Sequence, residues 1–188
     1  MIALKKIIII AGPSGVGKTT VSNYLQEKYH IPRVVTHTTR PMRTGEVDGV
    51  SYYFEDDTSF EQLHFFEHVK YGDYQYGSSK EALQRAWSKN ELASLIVETD
   101  GVKSYLEALG DQVYFIYLTV KDPEILTERL VERGDDLVEI KRRLNSPEFK
   151  RDLHLRPELV TDAHILENDN WIDTEKSIDK IVKKLAKN

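Results

Sequence analysis

The chain opens on an unbroken apolar run, Ile7-Ile8-Ile9-Ile10-Ala11, and then alternates such runs with stretches of helical spacing. β-Branched runs of this length suit strands buried on both faces of a parallel sheet. Ser94-Leu95-Ile96-Val97 and Val113-Tyr114-Phe115-Ile116-Tyr117-Leu118 read the same way, and His164-Ile165-Leu166 predicts a last short strand. Residues 17–29 carry Val21, Tyr24, Leu25 and Tyr29 at helical spacing, ended by Ile31-Pro32. A Ser78-x-x-Glu81 pattern predicts a helix to about Lys89. Asp122-Pro123 opens another to about Arg133, Gly134 closes it, and a charged helix follows from Asp136. The final helix gathers Ile178, Ile181, Val182 and Leu185 on one face, with Lys183, Lys184 and Lys187 at its carboxyl end.

From Arg33 to Tyr76 the rhythm changes. Val34-Val35-Thr36, Ser51-Tyr52-Tyr53-Phe54 and Tyr71 to Tyr76 are short β-prone pieces, separated by turn signals at Gly45, Asp48-Gly49 and Gly72-Asp73. One helix is expected among them, opened by Thr58-x-x-Glu61 and carrying Phe60, Leu63 and Phe66. The segment reads as a small inserted lobe rather than another βαβ unit.

Length adds that 188 residues suffice for one α/β domain with a full core. With 40% apolar and 30% charged residues, the composition excludes disordered and membrane classes. A net charge of −5 argues against general nucleic-acid binding, so an anionic ligand must meet a local cluster of cations. The absence of cysteine rules out disulfides and thiolate metal sites. The amino-terminal Met1-Ile2-Ala3-Leu4 and the run after it are too short to span a bilayer, and no small-residue cleavage site precedes the loop, so a cytoplasmic protein without membrane partners is expected.

The candidate chemistry starts where the first strand ends. Gly12-Pro13-Ser14-Gly15-Val16-Gly17-Lys18-Thr19-Thr20 matches Gly-x-x-x-x-Gly-Lys-Thr between a strand and a helix. Glycines there let backbone N–H groups turn inward around a polyphosphate, and the helix points its positive end at the same place. Lys18 can reach β and γ oxygens, and the Thr19 hydroxyl can ligate Mg²⁺. A second anion site is suggested by Arg40 and Arg43, three apart, followed by Tyr52 and Tyr76, a clamp of guanidinium forks and phenol hydroxyls. Read without context, Tyr52 and Tyr76 serve equally well as core aromatics, and Glu67 as a solvated helix-end charge. Arg129 and Arg133, four apart, share a helix face, with Arg143 on the next helix; a solvated charged face is the commoner fate of such arginines. His64-Phe65-Phe66-Glu67-His68 matches a zinc-peptidase pattern, but nothing nearby completes a zinc site, and two surface histidines are expected.

Over nearly its whole length the chain resembles guanylate kinase. The resemblance rests on the loop, on Thr38-Thr39-Arg40, Arg43, Gly45-Glu46 and Tyr52, on Tyr76-Gly77-Ser78, on a carboxylate after a hydrophobic strand, and on Arg129-Leu130-Val131-Glu132-Arg133-Gly134 with Arg143-Leu144. It implies an α/β phosphate-loop kinase core (1–32, 77–121 and 153–188), a mixed β/α GMP-binding insert (33–76) and a helical lid (122–152), together one domain over 1–188. It further implies that Arg40, Arg43, Tyr52 and Tyr76 hold the GMP phosphate while Thr36, Glu67, Ser78 and Asp100 surround the base. Hydroxyls at Thr36 or Ser78 suit guanine O6, and carboxylates at Glu67 and Asp100 suit its N1–H and 2-amino donors; adenine would leave those carboxylates unpaired. Gly12 to Thr20, Arg129, Arg133 and, near the adenine, Asn168 would bind ATP, with Lys18, Arg40, Arg133 and Arg143 catalytic. Thr19 would ligate Mg²⁺, and Glu98 would orient a metal-bound water.

Three departures stand out. The family's Arg-x-Pro-Arg is Arg40-Pro41-Met42-Arg43 here, Gln75 replaces one of a tyrosine pair, and Glu98-Thr99-Asp100-Gly101 shortens the step from carboxylate to glycine, which bears on where Asp100 points. A phosphate-loop kinase with another phosphorylated acceptor stays open. A non-catalytic peptide-binding relative is disfavoured, because Gly17-Lys18-Thr19 and the lid arginines are retained.

Overall fold

Four apolar runs form one parallel sheet. The computed structural model describes residues 5–187; Met1 to Leu4, read above as neither leader nor span, and Asn188 lie outside the described residues. In chain order the elements are β1 (Lys6–Ala11), α1 (Lys18–Tyr29), β2 (His37–Thr38), β3 (Tyr53–Phe54), α2 (Asp57–Glu61) and β4 (Phe65–Tyr71). Then come β5 (Tyr74–Ser79), α3 (Lys80–Trp87), β6 (Leu92–Ile96), α4 (Thr99–Leu109) and β7 (Val113–Thr119). The last are α5 (Glu124–Glu132), α6 (Leu137–Leu144), α7 (Pro147–Asp152), β8 (Ala163–Glu167) and α8 (Trp171–Leu185). The main sheet runs β6-β1-β7-β8, every neighbour parallel.

Alternation along β1 explains the layers. Ile8 and Ile10 pack with Val21 and Leu25 of α1 and with Ile178, Ile181 and Val182 of α8. Ile7 and Ile9 pack on the opposite face with Ala82, Leu83 and Ala86 of α3 and with Val102 and Tyr105 of α4. All four isoleucines are fully buried, each contributing about 1.5–3 kcal/mol by transfer from water. Parallel strands put their carboxyl ends along one edge, and the functional segments follow those ends: Gly12 after β1, Glu98 after β6, Asn168 after β8.

The second sheet, β3-β2-β5-β4, is mixed: β2 and β3 run parallel, while β5 is antiparallel to both β2 and β4. His37 ties it together. Its Nδ1 lies 2.8 Å from Glu55 Oε1 and its Nε2 2.8 Å from Ser79 Oγ. Burial holds this imidazole below its ordinary pKa, so it acts as a neutral hydrogen-bonding brace.

Several predicted elements differ from those found. The insert helix is shorter and starts one cap earlier: Asp56 and Ser59 form the capping box, and Phe66 lies on β4 instead, stacked on Tyr105 with centroids 4.6 Å apart. Tyr71 to Tyr76 is no single strand but the tip of the β4–β5 hairpin, turned at Gly72 in the left-handed region. The first strand of this sheet is His37–Thr38, one step beyond Val34 to Thr36. Ser79, not Ser78, caps α3, accepting from Ala82 N at 3.0 Å; Ser78 stays in the sheet, and Glu81 pairs with His64. The reading above assigns no helix to 99–109, where α4 runs, and segment 122–152, expected as a lid, holds three helices, α7 included. Among the described residues no helix is long and apolar enough to cross a membrane.

Candidate functional site

Glycine shapes the loop between β1 and α1 because side chains would not fit. Gly12 has φ +143°, and a Cβ there would land on the Leu118 carbonyl of β7. Gly17 has φ +101°, and its Cβ would sit 2.5 Å from Asn168 Nδ2. Lys18 Nζ donates to the carbonyls of Gly12 (2.6 Å) and Pro13 (3.0 Å). Burial pushes its ammonium down to about 8, against the raising effect of Asp152 and Glu98. A cavity of about 610 Å³ opens beside it, lined by Thr19, Thr20, Arg129, Arg133, Asn168 and Trp171 among others. That volume suits a nucleotide-sized ligand.

The lid arginines are held by a carboxylate that the sequence did not flag. Asp136 caps α6 through Val138 N and Glu139 N, and Gly134 ends α5 in the left-handed region, so the chain turns sharply between the two helices. Asp135 sits in that turn. Its Oδ1 accepts from Arg133 Nε at 2.8 Å, its Oδ2 accepts from Arg133 Nη2, and the same Oδ2 lies 3.3 Å from Arg143 Nη1. Arg143 also reaches Ser14 Oγ of the loop at 3.4 Å. Arg129 is spent on the carbonyls of Asn168 (2.7 Å) and Asp169 (3.3 Å). The Asn168 side chain braces the loop: Nδ2 donates to the Val16 carbonyl at 2.7 Å, and Oδ1 accepts from Thr174.

In the second sheet, Arg40 is 7% exposed, donates to Glu46 Oε1 at 2.7 Å, and lies over the rings of Tyr52 and Phe54. Tyr52 and Tyr76 meet edge to face at 6.1 Å, while Arg43 is exposed and gives its backbone N–H to Glu46. Two residues beyond Tyr76 on the same strand face, Ser78 is paired in register with Glu67. Glu67 is thus a strand residue facing α4, not a helix-end charge. Burial raises its pKa, reinforced by Glu98 and Asp100, while a hydrogen bond from Ser78 lowers it. Thr36 lines a recess of about 130 Å³ with Tyr52 and Ile96, and the β2–β5 register, which pairs His37 with Gly77, brings it next in line to Ser78. Asp100 pairs with Arg151 and Arg156, and Glu98 bonds Arg151 at 2.8 Å. His64 pairs with Glu81 ahead of β4, whereas His68 stacks near Phe60 and Phe65.

Sequence reasoning missed Asp135, Asp152 and Trp171. Asp152, 7% exposed, lines a 250 Å³ recess with Ser14, Lys18 and Glu98, and Thr99 donates to it. Asp135 lies only two residues from Arg133, in the turn that Gly134 and the Asp135-Asp136 pair mark, whereas Asp152 and Trp171 reach the loop only through folding.

The strand-loop-helix cradle on a parallel sheet, with a cationic lid beside it, defines the class: a phosphate-loop α/β protein. The family model for guanylate kinase matches residues 4–187. The chain is 37% identical over 156 residues to a guanylate kinase of Thermus thermophilus, spanning 80% of this chain and 70% of that protein. It is 39% identical over 146 residues to one of Helicobacter hepaticus, spanning 73% and 72%. A crystal structure of guanylate kinase from Anaplasma phagocytophilum matches with a TM-score of 0.64 at 24% identity, over 97% of this chain and 86% of that one, a likeness of fold alone. A gluconokinase from Sinorhizobium meliloti shares the fold more loosely, with a TM-score of 0.51 at 14% identity, over 98% and 93%. The chain belongs to the guanylate kinase family.

Proposed function

We propose that this chain transfers the γ-phosphoryl group of ATP to the phosphate of GMP, yielding ADP and GDP. The observation that carries this reading is the pairing of Glu67 with Ser78 at one point of the β4–β5 ladder, with Arg40, Tyr52 and Tyr76 gathered one strand step along. A carboxylate and a hydroxyl face a base edge, and cations and phenols face a phosphate roughly 7 Å away along the strand. A base with two adjacent donors satisfies Glu67, whereas adenine leaves it unpaired.

On the donor side, Lys18 and the amides of Gly12 to Thr20 hold the polyphosphate, with Arg129 and Asn168 flanking the nucleoside end of the cavity. Thr19, exposed beside Lys18, and Glu98 offer hard oxygen donors, which fits Mg²⁺, an ion that takes few protein ligands and keeps water and phosphate for the rest. When bound, Mg²⁺ supplies charge neutralisation on the β and γ oxygens. Arg40 and Arg43 grip the acceptor phosphate; Thr36, beside Ser78 across the β2–β5 ladder, adds a hydroxyl to the base site, and Asp100 joins it once its pairs with Arg151 and Arg156 open. Arg133 and Arg143 leave Asp135 to meet charge on the moving phosphoryl group, worth about 10³–10⁵ in rate in related transfers. A phosphomonoester with a second pKa near ~6 is already the dianionic nucleophile at neutral pH, so no general base is needed. Positioning, charge compensation and exclusion of water do the rest.

The division into a core (1–32, 77–121 and 153–188), an acceptor insert (33–76) and a lid (122–152) belongs to this reading, as do a cytoplasmic location and nucleotides rather than nucleic acid as partners. The test is a coupled assay with Mg-ATP and a panel of acceptors. GMP should give GDP and ADP in equal amounts, with AMP, CMP and UMP at least about 100-fold poorer in kcat/KM. Equal ADP release with every acceptor would overturn the assignment.

A further inference from the structure

We infer that one face of α4 builds the back wall of the base pocket, with Gly101 making room for the Glu67 carboxylate and Tyr105 fixing the hydroxyl of Ser78. Both are positioning residues, and the inference rests on the GMP reading above.

Gly101 and Tyr105 are four residues apart and so lie on one helix face, and both are buried. Glycine inside a helix disfavours it, and Gly101 is not in the left-handed region, so its backbone does not call for glycine. Space does. A Cβ at Gly101 would land on Glu67 Oε2, 2.7 Å from Cδ and 3.2 Å from Oε1, so even alanine would push the whole carboxylate off its seat. At that seat burial, with Glu98 and Asp100 nearby, disfavours the charged carboxylate, so a ligand with paired donors suits it.

One turn on, Tyr105 is 1% exposed and its ring stacks on Phe66, the neighbour of Glu67 on β4. Its hydroxyl donates to Ser78 Oγ at 2.5 Å. With that lone pair occupied, Ser78 must aim its own proton elsewhere, toward Glu67 or toward an acceptor such as guanine O6. Tyr105 thereby makes Ser78 a donor to the pocket without touching the base itself.

The experiment measures GMP and ATP kinetics and Tm for Gly101→Ala and Tyr105→Phe, each alone and in the background of the side chain it positions. Gly101→Ala should raise KM for GMP about tenfold or more, leave KM for ATP unchanged, and keep Tm equal or higher. Added to Glu67→Ala, the same change should alter KM for GMP less than about twofold, because nothing is left to displace. Tyr105→Phe should raise KM for GMP roughly two- to tenfold and lose that effect in a Ser78→Ala chain. Wild-type KM for GMP in both single variants, or full additivity in both double variants, overturns the inference while leaving the GMP reading intact. An unmutated chain that never forms GDP overturns both.

Discussion

The phosphate loop and the lid bring cations to one place but keep them in opposite ways. Lys18 is set into the core, its ammonium satisfied by two loop carbonyls and pushed down to about 8 by burial. Arg133 and Arg143 stand at 57% and 41% side-chain exposure and share one carboxylate, Asp135. The loop is closely packed, Gly12 against the Leu118 carbonyl of β7, Gly15 against the Leu126 carbonyl of α5 and Gly17 against the Asn168 side chain, so its charge is held by the fold itself. The lid stores its charge as ion pairs that a polyanion can outcompete. Such pairs in water are individually weak, so a competing charge displaces them at little cost.

The comparison breaks first at Lys18. Lys18→Ala should cut turnover at least about 10³-fold without lowering Tm at neutral pH. In the unaltered free enzyme kcat/KM for ATP should decline as pH rises through about 8, where the ammonium is lost. Stability should move the other way. Below about 8 both folded and unfolded chains hold the proton; between about 8 and 10.5 the unfolded chain binds more, so stability rises with pH over that window. A denaturant series across pH should show this rise, and Lys18→Ala should abolish it. A rise of the same size in the variant would assign it to another group.

Two glycines sharpen the contrast. Gly12→Ala meets both a positive φ and the Leu118 carbonyl and should cost about 2–3 kcal/mol or more in chemical denaturation. Gly134→Ala, at φ +85° but with open space around its Cβ, should cost only about 1 kcal/mol. Equal losses would mean the lid is as tightly packed as the loop. The smallest effect is expected from Asp135→Asn, which frees the lid arginines: KM for ATP should fall roughly two- to fivefold at low ionic strength, with the gain fading as salt is added. An increase in KM would instead make Asp135 part of the ligand-bound arrangement.

Legibility in the sequence followed the range of the forces involved. β1, β6 and β7 were readable because strands covered on both faces must be apolar at successive positions, as Ile7 to Ile10 are, whereas the edge strand β8 leaves His164 and Ile165 exposed. The carboxyl-terminal helix was readable from Ile178, Ile181, Val182 and Leu185, all of which are buried. Phe66 misled: with Phe60 and Leu63 it has helical spacing, yet stacking on Tyr105, distant in the chain, draws it into a strand. The helix carrying Tyr105 left a usable signal in Val102, Tyr105, Leu106 and Leu109, at i, i+3, i+4 and i+7, that went unread. The family resemblance assigned Asp100 to the base, but long-range ion pairs with Arg151 and Arg156 decide where its carboxylate points.

By itself the order of residues determined the parallel core, the phosphate cradle and the family, since each rests on local periodicity or on a contiguous motif whose backbone geometry is intrinsic. Only the tertiary structure decided which distant groups meet: Asp152 beside Lys18, Asp100 with Arg151 and Arg156, Glu67 opposite Ser78 and against Gly101. Electrostatic pairing and close packing act across space between segments far apart in the chain, and no spacing along the chain encodes them.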